Sequence, residues 1–360
     1  MKNKLYGSPC QSGGAKCKWI FTLFAVLCFF AALSGKTMAA VGGVPYVTFD
    51  GATGTLTLSY GDIALEPNAK DVSGHFNKLN QPNYYVGRDI CSDATKITKV
   101  VIEPSFINFE PTTLNKMFQS CSNLIEIEGL EYITTTKVAS MTSMFHNCSK
   151  LQNISFGSGF TTPTVNSMSA MFMGCSSLQS LDLSSFSSEA LESMSSMFEG
   201  CSNLTSIKFG DNFTIEKVKS LDNVFDGCTQ LSTLDLSKFA PISLTSMEST
   251  FNGCASIISL NLSGFNTSSV TTMKWLFFRC SKLKTISFGS NFKTDNVLDM
   301  TAMFSNCKAL TDLDLSQFNT ANVTTMAAMF NNCSSLESIT FGNNFTTAEV
   351  TSMSNMFNTC

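Results

Sequence analysis

Residues 303–320 read Met303-Phe304-Ser305-Asn306-Cys307-Lys308-Ala309-Leu310-Thr311-Asp312-Leu313-Asp314-Leu315-Ser316-Gln317-Phe318-Asn319-Thr320, one copy of a unit that recurs through most of the chain. Its cysteine belongs to a column: Cys121, Cys148, Cys175, Cys201, Cys228, Cys254, Cys280, Cys307, Cys333 and Cys360, spaced by 26 or 27 residues. A Phe stands three residues before each of them, from Phe118 to Phe357, and Leu or Ile stands three residues after, from Leu124 to Leu336. Self-similarity at a fixed period of this size marks a solenoid, in which one unit buries its apolar stripe only against its neighbours.

Within the unit, L-x-x-L-x-L, as in Leu178-Gln179-Ser180-Leu181-Asp182-Leu183, ends with period two and predicts a short strand. Val270, Met273, Leu276, Phe277 and Cys280 fall at offsets 0, 3, 6, 7 and 10, which predicts a helix with one apolar face. Thr267, Thr294, Thr320 and Thr347 stand where that helix wants an N-cap, and Gly or Asn usually precedes the Cys, where it wants a left-handed end. Units of 26 read L-x-L-S-x-F, whereas units of 27 read I-x-F-G-x-x-F, as in Ile286 to Phe292. The extra residue falls in the loop after the strand, and the Gly is expected to permit the wider turn. The expected fold is an α/β leucine-rich-repeat solenoid of strand-loop-helix units over 111–360. A small β-rich N-terminal cap spans 40–110, where Tyr46–Phe49 and Thr55–Leu58 flank a turn like a hairpin. The last unit stops at Cys360 without a polar cap, so the sequence is expected to be part of a longer protein.

The unit M-F-x-x-C-x-x-L-x-x-L-D-L-S-x-F-x-T-x-x-V-x-x-M resembles the repeat of the BspA-like leucine-rich-repeat surface proteins, shared with mycoplasma surface lipoproteins. The resemblance covers about residues 114–360. It implies a bacterial surface or secreted protein that binds host matrix or cell-surface macromolecules. The matching residues are structural ones, so it carries over no binding residue.

The N-terminus reads as an export signal over 1–39: Lys16 and Lys18 lead into an apolar run from Trp19 to Leu33, then small residues, with cleavage expected near Ala39. The 15-residue run is shorter than the roughly 20 residues a spanning helix needs; an uncleaved anchor is the alternative. Net charge is −4, and residues 1–39 hold five lysines and no acid, so cleavage leaves −4 − 5 = −9. So acidic a chain is a poor partner for nucleic acid.

Chemistry-bearing patterns are few. Two histidines, His75 and His146, lie far apart, and the cysteines lack the close pairing of a zinc site. The expectation is therefore no catalytic, metal or cofactor site and no enzyme. A disulfide ladder is conceivable in an exported protein, but parallel side chains pointing inward have the wrong mutual direction, so the cysteines are expected to be buried free thiols. On the strand face, Asp182, Lys208, Asp235, Asn261 and Asp314 are weaker candidates for ligand contact, with a solvated face as the plain alternative. One unit breaks pattern. Trp275 stands where sister units hold Ser143, Ala170 or Ser249; Phe278 and Arg279 follow, with Lys274, Lys282 and Lys284 nearby. Aromatic residues and Arg are common interface anchors, so Trp275, Phe278, Arg279 and Lys274 are the candidate binding residues, with Arg279 expected over the Trp275 ring. The reading is a non-enzymatic binding or adhesion protein whose partner is a protein or cell-surface macromolecule. A targeting module of a larger exported enzyme is the runner-up, and glycan binding ranks lowest because the strand face has no exposed aromatic residue.

Overall fold

The computed structural model describes residues 43–66, 68–73 and 94–360. The export signal, its cleavage point and His75 lie outside the described residues. Among those described, no helix is long and apolar enough to cross a membrane.

Two strands, β1 (Val44–Asp50) and β2 (Thr55–Gly61), form an antiparallel hairpin, and β3 (Lys70–Asp71) pairs with the far side of β1. β2 then pairs in parallel with β4 (Lys99–Ile102), and β4 with β5 (Glu126–Glu128), the strand of the Cys121 unit. The hairpin thus continues through β4 into the strand direction of the repeats. Along the repeats come β6 (Ser180–Leu183), β7 (Ser206–Phe209), β8 (Thr233–Leu234), β9 (Ser259–Leu262), β10 (Thr285–Phe288), β11 (Asp312–Leu315) and β12 (Ser338–Phe341). They are parallel in the groups β6-β7-β8, β9-β10 and β11-β12. Register is one unit per step, so Leu181 faces Ile207 and Leu313 faces Ile339. The stack forms a β-solenoid of about nine turns.

A second parallel row runs along another side of the coils. Single bridges link Thr113, Ser140, Ser167 and Ser193, and then Ser220, Ser246, Thr272, Asp299, Thr325 and Ser352. This row occupies the segment expected to be helical, and no α-helix forms there. Two features of each unit prevent one. The residue two before the Phe is left-handed throughout, with φ between 50° and 57° at Ser143, Ala170, Ser196, Asn223, Ser249, Trp275, Ala302, Ala328 and Asn355, and a left-handed residue cannot continue a right-handed helix. Backbone donors also point outward to the next coil. Phe145 N–H donates to Met171 O at 2.8 Å and Phe277 N–H to Met303 O at 2.9 Å, while the residues between close three-residue turns, such as Met144 N–H to Met141 O at 3.2 Å. Consecutive tight turns bring the same offsets inward as a helix would, so the apolar stripe Val270, Met273, Leu276, Phe277, Cys280 is buried as expected.

The expected helix caps also take another role. Thr267 Oγ1 donates to Lys293 O at 2.6 Å and accepts from Lys293 N–H at 2.6 Å; Thr294 does the same with Asn319 and Thr320 with Thr346. Each buried hydroxyl therefore replaces two rungs of a backbone ladder between coils. Thr347, the last residue of that column, is exposed.

The core is columnar. Phe118, Phe145, Phe172, Phe198, Phe225, Phe251, Phe277, Phe304, Phe330 and Phe357 stack with ring centroids 5.2–5.7 Å apart. Each such aromatic pair is worth about 0.5–1.5 kcal/mol beyond its buried area. Beside it runs the cysteine column, its ten members outside any disulfide and buried in all but Cys360. In the 27-residue units Gly129 and Gly157 are left-handed, with φ 83° and 68°, as a wider turn needs, whereas the other three glycines are explained by close approach: a methyl on Gly210, Gly289 or Gly342 would overlap the carbonyl of Ser184, Ser263 or Ser316 one coil back. None of these three is left-handed, so wider turning is not the reason for them.

Candidate functional site

The pattern-breaking Cys280 coil is held from both sides. Trp275 N–H donates to Thr301 O at 2.9 Å and Arg279 N–H to Ser305 O at 2.8 Å, while Lys274 O and Phe278 O accept from Ser249 and Gly253. Backbone position is therefore fixed, and only side chains distinguish this coil from its neighbours. Trp275 has φ 57°. A bulky residue pays a steric cost in that region, of about 1–2 kcal/mol. Trp275 is 36% exposed, while Ser249 and Ala302, above and below it in the same column, are 3% and 5% exposed. The position is thus largely buried in adjacent units.

The cations do not sit where the sequence placed them. Lys274 Nζ lies 4.0 Å from the centre of the Trp275 ring and 3.6 Å from Glu248 Oε1. Arg279 lies over Phe278, its Cζ 4.8 Å from that ring's centre. A helical i, i+4 step would have carried Arg279 to Trp275; tight turns put each cation over the ring adjacent to it in sequence. Lys274, Trp275, Phe278 and Arg279 form two neighbouring cation–ring pairs on the outside of one coil, with Phe278 half-buried and Arg279 exposed.

The strand-face candidates serve the turn after the strand. Asp182, Asp235, Asn261 and Asp314 each accept, through Oδ1, the backbone N–H two residues on, from Ser184, Ser237, Ser263 and Ser316 at 2.8–3.0 Å. The L-[DN]-L-S spacing carried this signal, since Asx side chains cap such turns. Lys208 pairs with Asp182 at 2.9 Å. The Ser184 hydrogen bond and the Lys208 ammonium hold Asp182 down to about 2. The Ser237 and Ser316 amides likewise lower Asp235 and Asp314. These five residues are spread over six coils, and the structure does not gather them into one site.

Other polar groups escaped sequence reading because they are built between coils. Asp226 is half-buried beside Glu199, and Asn252 Nδ2 donates to its Oδ2 at 3.1 Å; burial first, then the Glu199 charge, raises its carboxyl to about 6. Burial also raises the thiols from Cys148 to Cys333, Cys175 and Cys333 to about 12, so these are neutral and inert at physiological pH. Among the described residues no cluster of three or more His, Cys, Asp or Glu side chains could hold a metal ion.

No curated protein matches the chain. Similar solved structures include a leucine-rich repeat protein from Bacteroides ovatus, 18% identical over 88% of this chain and 91% of that one, with a TM-score of 0.30. A leucine-rich cell surface protein from Faecalibacterium prausnitzii is 15% identical over 84% and 94%, with a TM-score of 0.32. A leucine-rich repeat protein from Eubacterium ventriosum is 13% identical over 85% and 90%, with a TM-score of 0.28. The resemblance to BspA-like surface proteins, with its repeat shared by mycoplasma proteins, is upheld. Residues 112–239, 205–288 and 245–360 match one family model, together covering every cysteine-centred unit, and the chain belongs to that family, described as Mycoplasma protein of unknown function, DUF285.

Proposed function

We propose that this is a non-enzymatic surface or exported binding protein, acting in adhesion to protein or cell-surface macromolecules through the outside of its solenoid. The contact centres on Trp275, Phe278, Arg279 and Lys274. One observation carries the reading: a partly exposed indole stands in a left-handed position where sister units hold Ser, Ala or Asn, flanked by a second aromatic ring and two cations. A strained residue that its own fold does not require is the kind of outlier that marks function. The remaining unusual chemistry is committed to structure. The thiols from Cys121 to Cys333 are buried, the threonine hydroxyls close inter-coil ladders, and the strand-face carboxylates cap turns.

The test is the double substitution Trp275→Ser with Phe278→Asn, which restores what sister units carry. Binding to extracted matrix and cell-surface proteins is measured alongside the melting temperature. Loss of binding with little change in melting is expected; unchanged binding with a large drop in melting temperature shows the pair to be packing alone.

A further inference from the structure

The same coil differs from its neighbours in charge. From Ser249 to Thr294 the chain has five cations, Lys274, Arg279, Lys282, Lys284 and Lys293, and no Asp or Glu, within a protein of net charge −4. Elsewhere an outward lysine is commonly held by an acid one coil away: Lys208 by Asp182 at 2.9 Å, Lys219 by Glu192 at 2.7 Å, Lys238 by Asp211 at 3.1 Å. Among the described residues, Arg279, Lys282, Lys284 and Lys293 have no carboxylate within 4.0 Å. All four are exposed. Lys282 and Lys284 flank the buried Leu283 at the entry to β10, and Arg279 precedes them on the turn that also carries Phe278. The result is a cluster of cations without a close ion pair on one coil, bordered by two aromatic rings, with Asp226 acting on Arg279 and Asp312 and Asp314 facing Lys284 only from beyond ion-pair distance.

We infer that this cluster binds a sulfated polysaccharide, sulfates engaging Arg279, Lys282 and Lys284 while sugar C–H faces rest on Trp275 and Phe278. The inference rests on the proposal above for Trp275 and Phe278 and names the partner's chemistry. Charge complementarity selects a polyanion. Backbone bonding separates a glycan from an acidic peptide. An extended peptide gains much of its affinity by adding to a free strand edge. Here β10 pairs with β9, Lys284 N–H donates to Ile258 O at 2.8 Å, and Trp275 and Arg279 N–H donate to the following coil, so the cluster has no such edge to offer. A glycan repeats charge, hydroxyls and apolar ring faces at every residue and needs only side chains.

The probe is heparin, applied to the full chain, with polyglutamate and a single-stranded oligothymidine as other polyanions. Lys282→Gln with Lys284→Gln is expected to weaken heparin binding at least tenfold and to lower the salt needed for elution, with Arg279→Gln acting in the same direction. Lys219→Gln with Lys238→Gln, which removes two paired lysines, is expected to leave heparin affinity within twofold, and far-ultraviolet circular dichroism checks that each variant keeps its fold. No heparin binding, equal loss in both double variants, or equal affinity for polyglutamate or oligothymidine overturns the inference. Absent heparin binding beside intact Trp275-dependent capture of surface proteins sinks only the glycan assignment and leaves the binding role standing.

Discussion

The thiol of Cys175 donates to the carbonyl oxygen of Phe145, one coil back, at 3.1 Å. The same bond, at 2.8–3.2 Å, joins the Cys of each unit from Cys148 to Cys360 to the Phe of the unit before, so the two columns that define the repeat are bonded to each other. A small apolar residue with a weak donor fits a buried position facing a carbonyl, and cysteine supplies both properties.

The column should therefore behave as nine inaccessible thiols and one accessible thiol, Cys360. Titration with an aromatic disulfide reagent, residue by residue in single-cysteine variants, should show no reaction for Cys121 to Cys333 in the native state and full reaction in denaturant. Cys228→Ala should cost about 1–2 kcal/mol, as a small core truncation does, without the larger loss that follows removal of a disulfide. Rapid native reaction of the buried column would contradict the structure.

The buried threonines give a sharper test of the coil against the helix. Thr294 Oγ1 donates to Asn319 O and accepts from Asn319 N–H. Thr294→Val strands both backbone groups and should cost about 1–3 kcal/mol, whereas Thr294→Ser keeps the hydroxyl and should cost less. A helix cap would bond within its own unit, so faster hydrogen exchange at Asn319 in the Val variant reports on the inter-coil bond itself. Unchanged exchange there would reject it.

The extra-residue units make a steric prediction. Gly289→Ala and Gly342→Ala push a methyl into a backbone carbonyl and should destabilise by more than 2 kcal/mol, about the scale of overpacking in a core. Gly159→Ala, whose nearest neighbour would be Glu131 O at 3.6 Å, should be tolerated. Chemical denaturation of the three variants checks the order.

Much of this fold was legible because burial leaves a periodic mark. The Phe, Cys and Leu columns, the strand at L-x-x-L-x-L and the inward stripe at Val270, Met273 and Leu276 all lie where the sequence put them. The helix was misread because offsets 0, 3, 6, 7 and 10 are produced equally by consecutive three-residue turns. The sign that separates the two is a left-handed φ two residues before each Phe, at positions filled by Ser143, Ala170 and Trp275. Those residue types do not advertise that conformation, unlike the Gly or Asn before the Cys. The same error of geometry put Arg279 over Trp275. The Asx turns at Asp182 and Asp314 were readable from D-L-S, but their outward position in the strand suggested ligand contact instead.

The last prediction concerns pH. Asp226 shares its surroundings with Glu199, Asn252 and the more distant Arg279, and its carboxyl is raised from 3.8 to about 6 by burial and the Glu199 charge. In the unfolded chain the ordinary value returns. Between about pH 4 and pH 6 the folded state therefore binds more protons than the unfolded state, so this group's contribution to stability falls as pH rises through that window and is flat above it. Two units correspond to about 3 kcal/mol at 1.36 kcal/mol per unit. The group is only half-buried, so solvent screening reduces that to about 1 kcal/mol. Asp182 and Asp314 act in the opposite sense, because their lowered values add stability that is lost on acidification below about pH 4. The measurement is thus a difference between two proteins. Asp226→Asn should be more stable than the parent at pH 7, and the advantage should vanish as pH falls to 4. A stability difference that is constant between pH 4 and pH 7 would show that Asp226 titrates normally and that Glu199 and burial leave it unperturbed.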